Sequence, residues 1–161
     1  ILQALSILKK NNARFEMSVY GPVRPKYQQM INELGLGGCV FLKGEVAQAE
    51  LAKAIQQSDA LVLYSRFETF GCVLIEANAS GIPVFVSDIE VFHELIEEGC
   101  NGIFVTENAP DALAQKLKAF ITQKNTFDKN TIAETAATKY NFKRVGQQFI
   151  DLYNELSPGK V

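Results

Sequence analysis

Only one of the 161 residues is histidine and only three are cysteine, which removes several kinds of chemistry at once. The cysteines, Cys39, Cys72 and Cys100, are odd in number and stand at spacings unlike any metal motif. They read as reduced, half-buried thiols of a cytoplasmic protein. Positive charge is scarce as well. The net charge is −2 and no cluster of Lys and Arg stands out, so nothing offers an electrostatic footprint for nucleic acid. No apolar run approaches the ~20 residues of a membrane span. Internal repeats, low-complexity linkers and a targeting segment are missing too.

What is present is a core. Hydrophobic residues make up 47% of the chain, enough to fill one domain over residues 1–156, with the tail Ser157–Val161 expected to be disordered. Short apolar runs alternate with amphipathic segments, the signature of β-α-β units and a parallel sheet. Phe15, Met17 and Val19 alternate with Glu16 and Ser18 in one strand; Ala60–Tyr64, Pro83–Val86 and Gly102–Val105 read as others. Helical stripes run through Tyr27, Met30, Ile31 and Leu34, and through Leu51, Ala54, Ile55 and Ser58. After the last strand the chain is helical, with stripes over Leu113–Ile121, Ile132–Thr138 and Val145–Leu156. Ile1, Ala4, Leu5 and Leu8 form a helical face with no N-cap residue and no strand before it.

The segment Glu68–Val84 carries the chemistry. Ser65–Phe70 is the loop that leaves the strand Ala60–Tyr64, and a helical pattern begins at Gly71, with Val73, Leu74 and Ala77 on its apolar face and a stop at Gly81-Ile82-Pro83. In open α/β sheets ligands bind beyond the carboxyl ends of strands, where helix N-termini present unpaired amides to anions. The amides of Gly71, Cys72 and Val73 are thereby available to a phosphate. Glu68 and Glu76 flank that site. Carboxylates repel phosphate, so each is expected to accept hydrogen bonds from hydroxyls. A ligand with hydroxyls at both ends and phosphate between them is a nucleoside diphosphate sugar.

The same segment resembles the signature E-G-F-G-x-x-x-x-E-A-x-A-x-G-x-P-V of retaining glycosyltransferases of the GT-B fold, family 4. Glu68, Phe70-Gly71, Glu76-Ala77, Gly81 and Pro83 fall in register. The likeness extends along the chain through Val19-Tyr20-Gly21-Pro22, Leu34-Gly35-Leu36, Val40–Gly44, Ser58-Asp59-Ala60, Ser87-Asp88, Glu94-Leu95-Ile96 and Glu98–Val105. It implies a Rossmann-like parallel sheet flanked by helices, the C-terminal half of GT-B, with a helical C-terminal extension that packs near or crosses to the partner domain. In the family a strand and an E-K-G loop precede the first helix, and their Arg and Lys hold the diphosphate. Neither precedes Ile1 here. The expected strand order, 3-2-1-4-5-6, would therefore lack its first, central strand. The N-terminal Rossmann-like domain of the same chain is an expected partner, since it supplies the acceptor site and a histidine facing the sugar.

The resemblance implies separate duties. Glu68 faces the donor sugar, where it also stabilises positive charge as the glycosidic bond breaks; Glu76 takes the ribose. The helical neighbours of Glu76, namely Val73, Leu74, Ala77 and Ala79, are apolar, so the helix is expected to be largely enclosed and a carboxylate within it to need partners. Thr69 stands where the family has glycine, beside Phe70 and the amides of Gly71, Cys72 and Val73. The backbone of Val46 aligns with a nucleobase contact, and Gly21 ends a strand at the ligand edge. The expected reaction of the parent moves a hexose from a UDP- or GDP-sugar to an acceptor hydroxyl with retention. No cofactor is implied, and without an Asp-x-Asp motif no metal is expected. Peripheral membrane association and polysaccharide assembly are further implications for the parent. Two rivals stay open: a non-catalytic Rossmann-like binding module with structural glutamates, and a GT-B epimerase or phosphorylase. For other residues the bland reading is favoured: Cys72 as a packing side chain, Arg24 and Lys26 as the solvated start of a helix, His93 as structural or surface. Glu94 is expected to brace the loop around Asp88.

Overall fold

Thirteen elements follow one another in the described part of the computed structural model, residues 1–105, 109–123 and 127–156: α1 (Leu2–Lys10), β1 (Met17–Tyr20), α2 (Pro25–Glu33), β2 (Val40–Gly44), α3 (Gln48–Gln56), β3 (Leu61–Leu63), α4 (Cys72–Ala79), β4 (Val84–Ser87), α5 (Glu90–His93), β5 (Gly102–Val105), α6 (Pro110–Thr122), α7 (Lys129–Lys139) and α8 (Phe142–Leu156). The expected tail, residues 157–161, lies outside the described residues. Every segment read as a strand or helix from its periodicity is present, displaced by a few residues at the ends. The short α5 was not anticipated, because four residues complete barely one turn and give no repeat to read.

All strand pairs are parallel, but the ladder is broken. One sheet has the order β1-β2 and the other β3-β4-β5. That is the partition that the order 3-2-1-4-5-6 leaves when its first strand is removed. Among the described residues, β1 and β3 are each paired on one side only.

Side chains connect what the ladder does not. Met17 and Val19 of β1, Val40 and Leu42 of β2, Val62 of β3, Phe85 of β4 and Ile103 and Val105 of β5 all enter one cluster, closed by Ala4, Leu5 and Leu8 of α1 and Leu113, Ala114 and Leu117 of α6. The opposite face of the three-stranded sheet has its own cluster. There Leu61, Leu63, Val84, Val86 and Phe104 pack with Ile55 of α3, Leu74 and Ala77 of α4 and Phe92 of α5. β4 sends residues alternately to both clusters and is buried along its whole length, as a strand covered by helices on both faces must be.

Two helix ends are chemically explicit. After α4 the Gly81 and Ile82 amides donate back to Asn78 and Ala77 at 2.8 and 2.9 Å, the paired bonds of a left-handed C-terminal cap. Gly81 has φ +74°, and a Cβ on it would lie 2.6 Å from the Lys129 carbonyl oxygen at the start of α7. At the N-terminus of α7, Asp128 accepts from the amides of Asn130 and Thr131 and from the Thr131 hydroxyl. Those bonds, the Thr131 amide foremost, hold its carboxyl below the ordinary value. α8 differs from the rest. None of its residues is buried, and Phe142 is 99% and Tyr153 65% exposed.

Gly81→Ala is expected to lower stability by roughly 2 kcal/mol or more, because left-handed backbone and a carbonyl contact are both violated; the readout is a lower urea midpoint at unchanged m. The Asp128 contribution has a defined pH window. Its folded pKa is depressed, so the stabilisation is fully present above the unfolded value of about 3.9 and is lost as pH falls through the folded one. The difference in melting temperature between the protein and Asp128→Ala should therefore be constant at neutral pH and shrink as pH falls through that window.

Candidate functional site

α4 begins where the sequence places it, and the reason is steric. Its N-cap is Gly71 at φ +90°, ψ 47°, backbone that side-chain-bearing residues rarely adopt. A Cβ there would also meet the Phe92 ring at 2.9 Å and Leu74 Cδ1 at 3.2 Å. Phe92 is fully buried and comes from α5, so the short helix props the start of α4. No side chain caps α4. The Cys72 and Val73 amides, in its first turn, are without intrahelical acceptors. These donors, with the positive end of the helix dipole, suit an anion.

Glu68 is half-buried in the loop before this turn, and its Oε1 accepts from the Ser65 hydroxyl at 3.0 Å. The Ser65 carbonyl accepts in turn from the hydroxyl of Ser87, which is 8% exposed at the end of β4. Thr69 is exposed, Phe70 is 40% exposed and Phe67 80%. The loop thus shows a carboxylate, two aromatic edges and uncapped amides on one short span.

Glu76 corrects one expectation. Its neighbours Leu74 and Ala77 are buried as predicted and Val73 is half-buried, but Ala79 and Glu76 itself are exposed. α4 turns one stripe outward, so an enclosed carboxylate in need of partners is not what the structure contains. Cys72 is also exposed, as is Cys100, and only Cys39 is half-buried; all three are free thiols. The packing reading of Cys72 fails because N1 of α4 lies on that outward stripe.

Gly21 and Val46 belong to the other sheet. The Gly21 amide donates to the Gly44 carbonyl at 2.9 Å, which joins the loop after β1 to the Lys43–Val46 segment after β2. Val19–Val23, Tyr27 and Leu42 line a cavity of about 260 Å³ at that end. Val46 is half-buried and is not among the lining residues. Arg24 is the exposed N-cap of α2 and Lys26 lies over the Tyr27 ring, as the solvated reading required.

The partners of His93 and Asn78 had little signal in residue order. His93 Nε2 lies 2.6 Å from Asp88 Oδ1, and its ring stacks on Phe104 at 4.3 Å. The brace around Asp88 is therefore His93, whereas Glu94 offers its carbonyl to Lys139. Asn78, 4% exposed, donates to the carbonyls of Ile82 and Asn101 and accepts from the Asn101 side chain, fixing α4 to the turn before β5. An asparagine among Ala77 and Ala79 was the one visible hint.

Solved structures share this fold. The Anabaena protein HepE in complex with UDP superposes with a TM-score of 0.82 at 23% identity, over 96% of this chain and 44% of that one. TarM gives 0.77 at 26% identity, over 95% and 31%. Among curated proteins, the GDP-mannose:cellobiosyl-diphosphopolyprenol alpha-mannosyltransferase of Xanthomonas oryzae is 32% identical over 130 residues, covering 80% of this chain and 34% of its own length. The alpha-D-kanosaminyltransferase of Streptomyces kanamyceticus is 25% identical over 147 residues, 90% and 38%. This chain thus spans well under half of these relatives. Its α/β fold of parallel sheets flanked by helices is that of GT-B glycosyltransferases, and residues 1–139 match the profile described as Glycosyl transferases group 1. The chain belongs to that family.

Proposed function

We propose that this chain is the donor-binding, C-terminal half of a retaining, family 4-like glycosyltransferase that moves a hexose from a nucleoside diphosphate sugar to an acceptor hydroxyl in the cytoplasm. The observation that carries the reading is the juxtaposition of a tethered Glu68 with the uncapped turn Gly71–Val73. Structural neighbours support it, since HepE is known in complex with UDP and with UDP-glucose. Relatives named as mannosyl- and kanosaminyltransferases point to the same reaction class.

In this reading the diphosphate takes the amides of Gly71, Cys72 and Val73, while the carboxylate of Glu68 accepts from sugar hydroxyls and faces the anomeric carbon as positive charge develops. Thr69 and Phe70 border the sugar. The exposure of Glu76 suits a carboxylate that receives its hydrogen bonds from ribose only when ligand arrives. The cavity beside Gly21, with the neighbouring Val46 backbone, is the place for the base. Catalysis needs a second half. The apolar stripe of α8 and the one-sided edges of β1 and β3 are surfaces that an N-terminal domain, with its own preceding strand, would cover. No described helix is long and apolar enough to cross a membrane.

Titration of the full-length protein with UDP-glucose and GDP-mannose should shift the amide resonances of Gly71, Cys72 and Val73; silence from both at millimolar concentration rejects the donor site. Glu68→Gln should reduce turnover about 10- to 100-fold with little change in UDP or GDP affinity, as loss of charge-assisted hydrogen bonds worth ~1.5–3 kcal/mol requires. Glu76→Ala should instead weaken nucleotide binding about tenfold. Gly71→Ala should weaken both nucleotide and sugar nucleotide, because the whole first turn of α4 shifts.

A further inference from the structure

The strongest unassigned feature near Glu68 is the pair of serines behind it. Ser65 follows β3, and its hydroxyl is 3.0 Å from Glu68 Oε1. An ionised carboxylate only accepts, so the direction of this bond is settled and Ser65 is the donor. The Ser65 carbonyl likewise only accepts, and it takes the hydroxyl of the buried Ser87 at the end of β4. The hydroxyl at the end of β4 thus holds the backbone of Ser65, just past β3, and the Ser65 hydroxyl in turn holds the loop carboxylate. Among the described residues, Glu68 has no other hydrogen-bond partner within the protein. Its second oxygen is left for something else.

A glutamate on a loop ordinarily samples many rotamers, and a reacting group gains most when its rotamer is fixed before substrate binds. The anchor here is β4, the most enclosed strand among the described residues. From this geometry we infer that Ser65 is a positioning residue for Glu68, held in register by Ser87, and that it sets the preference for a sugar nucleotide over the bare nucleoside diphosphate. This inference rests on the donor-site reading above. In this reading the Ser65 hydroxyl is committed to Glu68, so its effect passes through that carboxylate.

The test compares Ser65→Ala and Ser65→Thr with the unmodified full-length protein. Affinity is measured for UDP-glucose and GDP-mannose against UDP and GDP, together with kcat and KM. The expected result is that Ser65→Ala loses roughly tenfold in affinity for the sugar nucleotide, and in kcat, while the nucleoside diphosphate binds as before. Ser65→Thr, which keeps the hydroxyl, restores both. Equal weakening of nucleotide and sugar nucleotide would mean that Ser65 only shapes the loop, and the inference fails. It also fails if Ser65→Ala behaves as the unmodified protein, or if threonine does not restore what alanine removes. Absence of any nucleotide binding to the unmodified protein has a different signature: it overturns the donor site and this inference with it.

Discussion

Burial of β4 on both faces is the constraint from which the other parts take their places. Val84 and Val86 face α3, α4 and α5, and Phe85 faces α1 and α6, so each layer of helices is built against one side of a single four-residue strand. Hydrophobic burial supplies the stabilisation there, at about 25 cal/mol per Å² of apolar surface. Position is its second product. Since β4 cannot shift without opening both clusters, its C-terminal end is a well-held point from which to hang a site, and Ser87 ends the strand there with Asp88 next to it.

From that end two tethers run outward. Ser87 holds the loop that bears Glu68, and Asp88 holds His93, whose helix carries Phe92 under Gly71. The carboxylate and the amides of α4 are therefore referred to the same strand by separate routes. A polar group in an irregular segment is placed here by backbone-anchored hydrogen bonds, which supply direction, while the aromatic contact at Gly71 supplies closeness. Neither alone would fix both the rotamer of Glu68 and the tilt of α4.

The candidate site was legible in the residues to an uneven degree. Gly71 between Glu68 and Glu76 could be read because a helix start, a left-handed turn and two carboxylates at fixed spacing each constrain residue type. The strands could be read because apolar runs bounded by glycine and proline leave few alternatives. What escaped were contacts between segments distant in order: Ser65 with Ser87, Asn78 with Asn101, Phe92 with Gly71. These depend on which strands lie side by side, and no local pattern encodes that. The exposure of Glu76 and Cys72 escaped for a related reason. α4 is apolar on nearly every side, so composition gave no angle from which to tell its inner stripe from its outer one. The break between the sheets, by contrast, followed from counting strands against the expected order.

That break leaves the described strands in two groups held together in different ways. Within β3-β4-β5 neighbouring strands are joined by backbone hydrogen bonds, but among the described residues the β1-β2 pair meets them through side chains that pack over α1 and α6. Packed side chains resist compression well and sliding poorly, since a hydrocarbon contact has no preferred direction. Among the described residues the two sheets thus share one layer of hydrocarbon without sharing a ladder. The cavity beside Gly21 sits by the β1-β2 pair and the Glu68 loop by β3-β4-β5, so a ligand long enough to span both would bridge two groups of strands that share packing but no ladder.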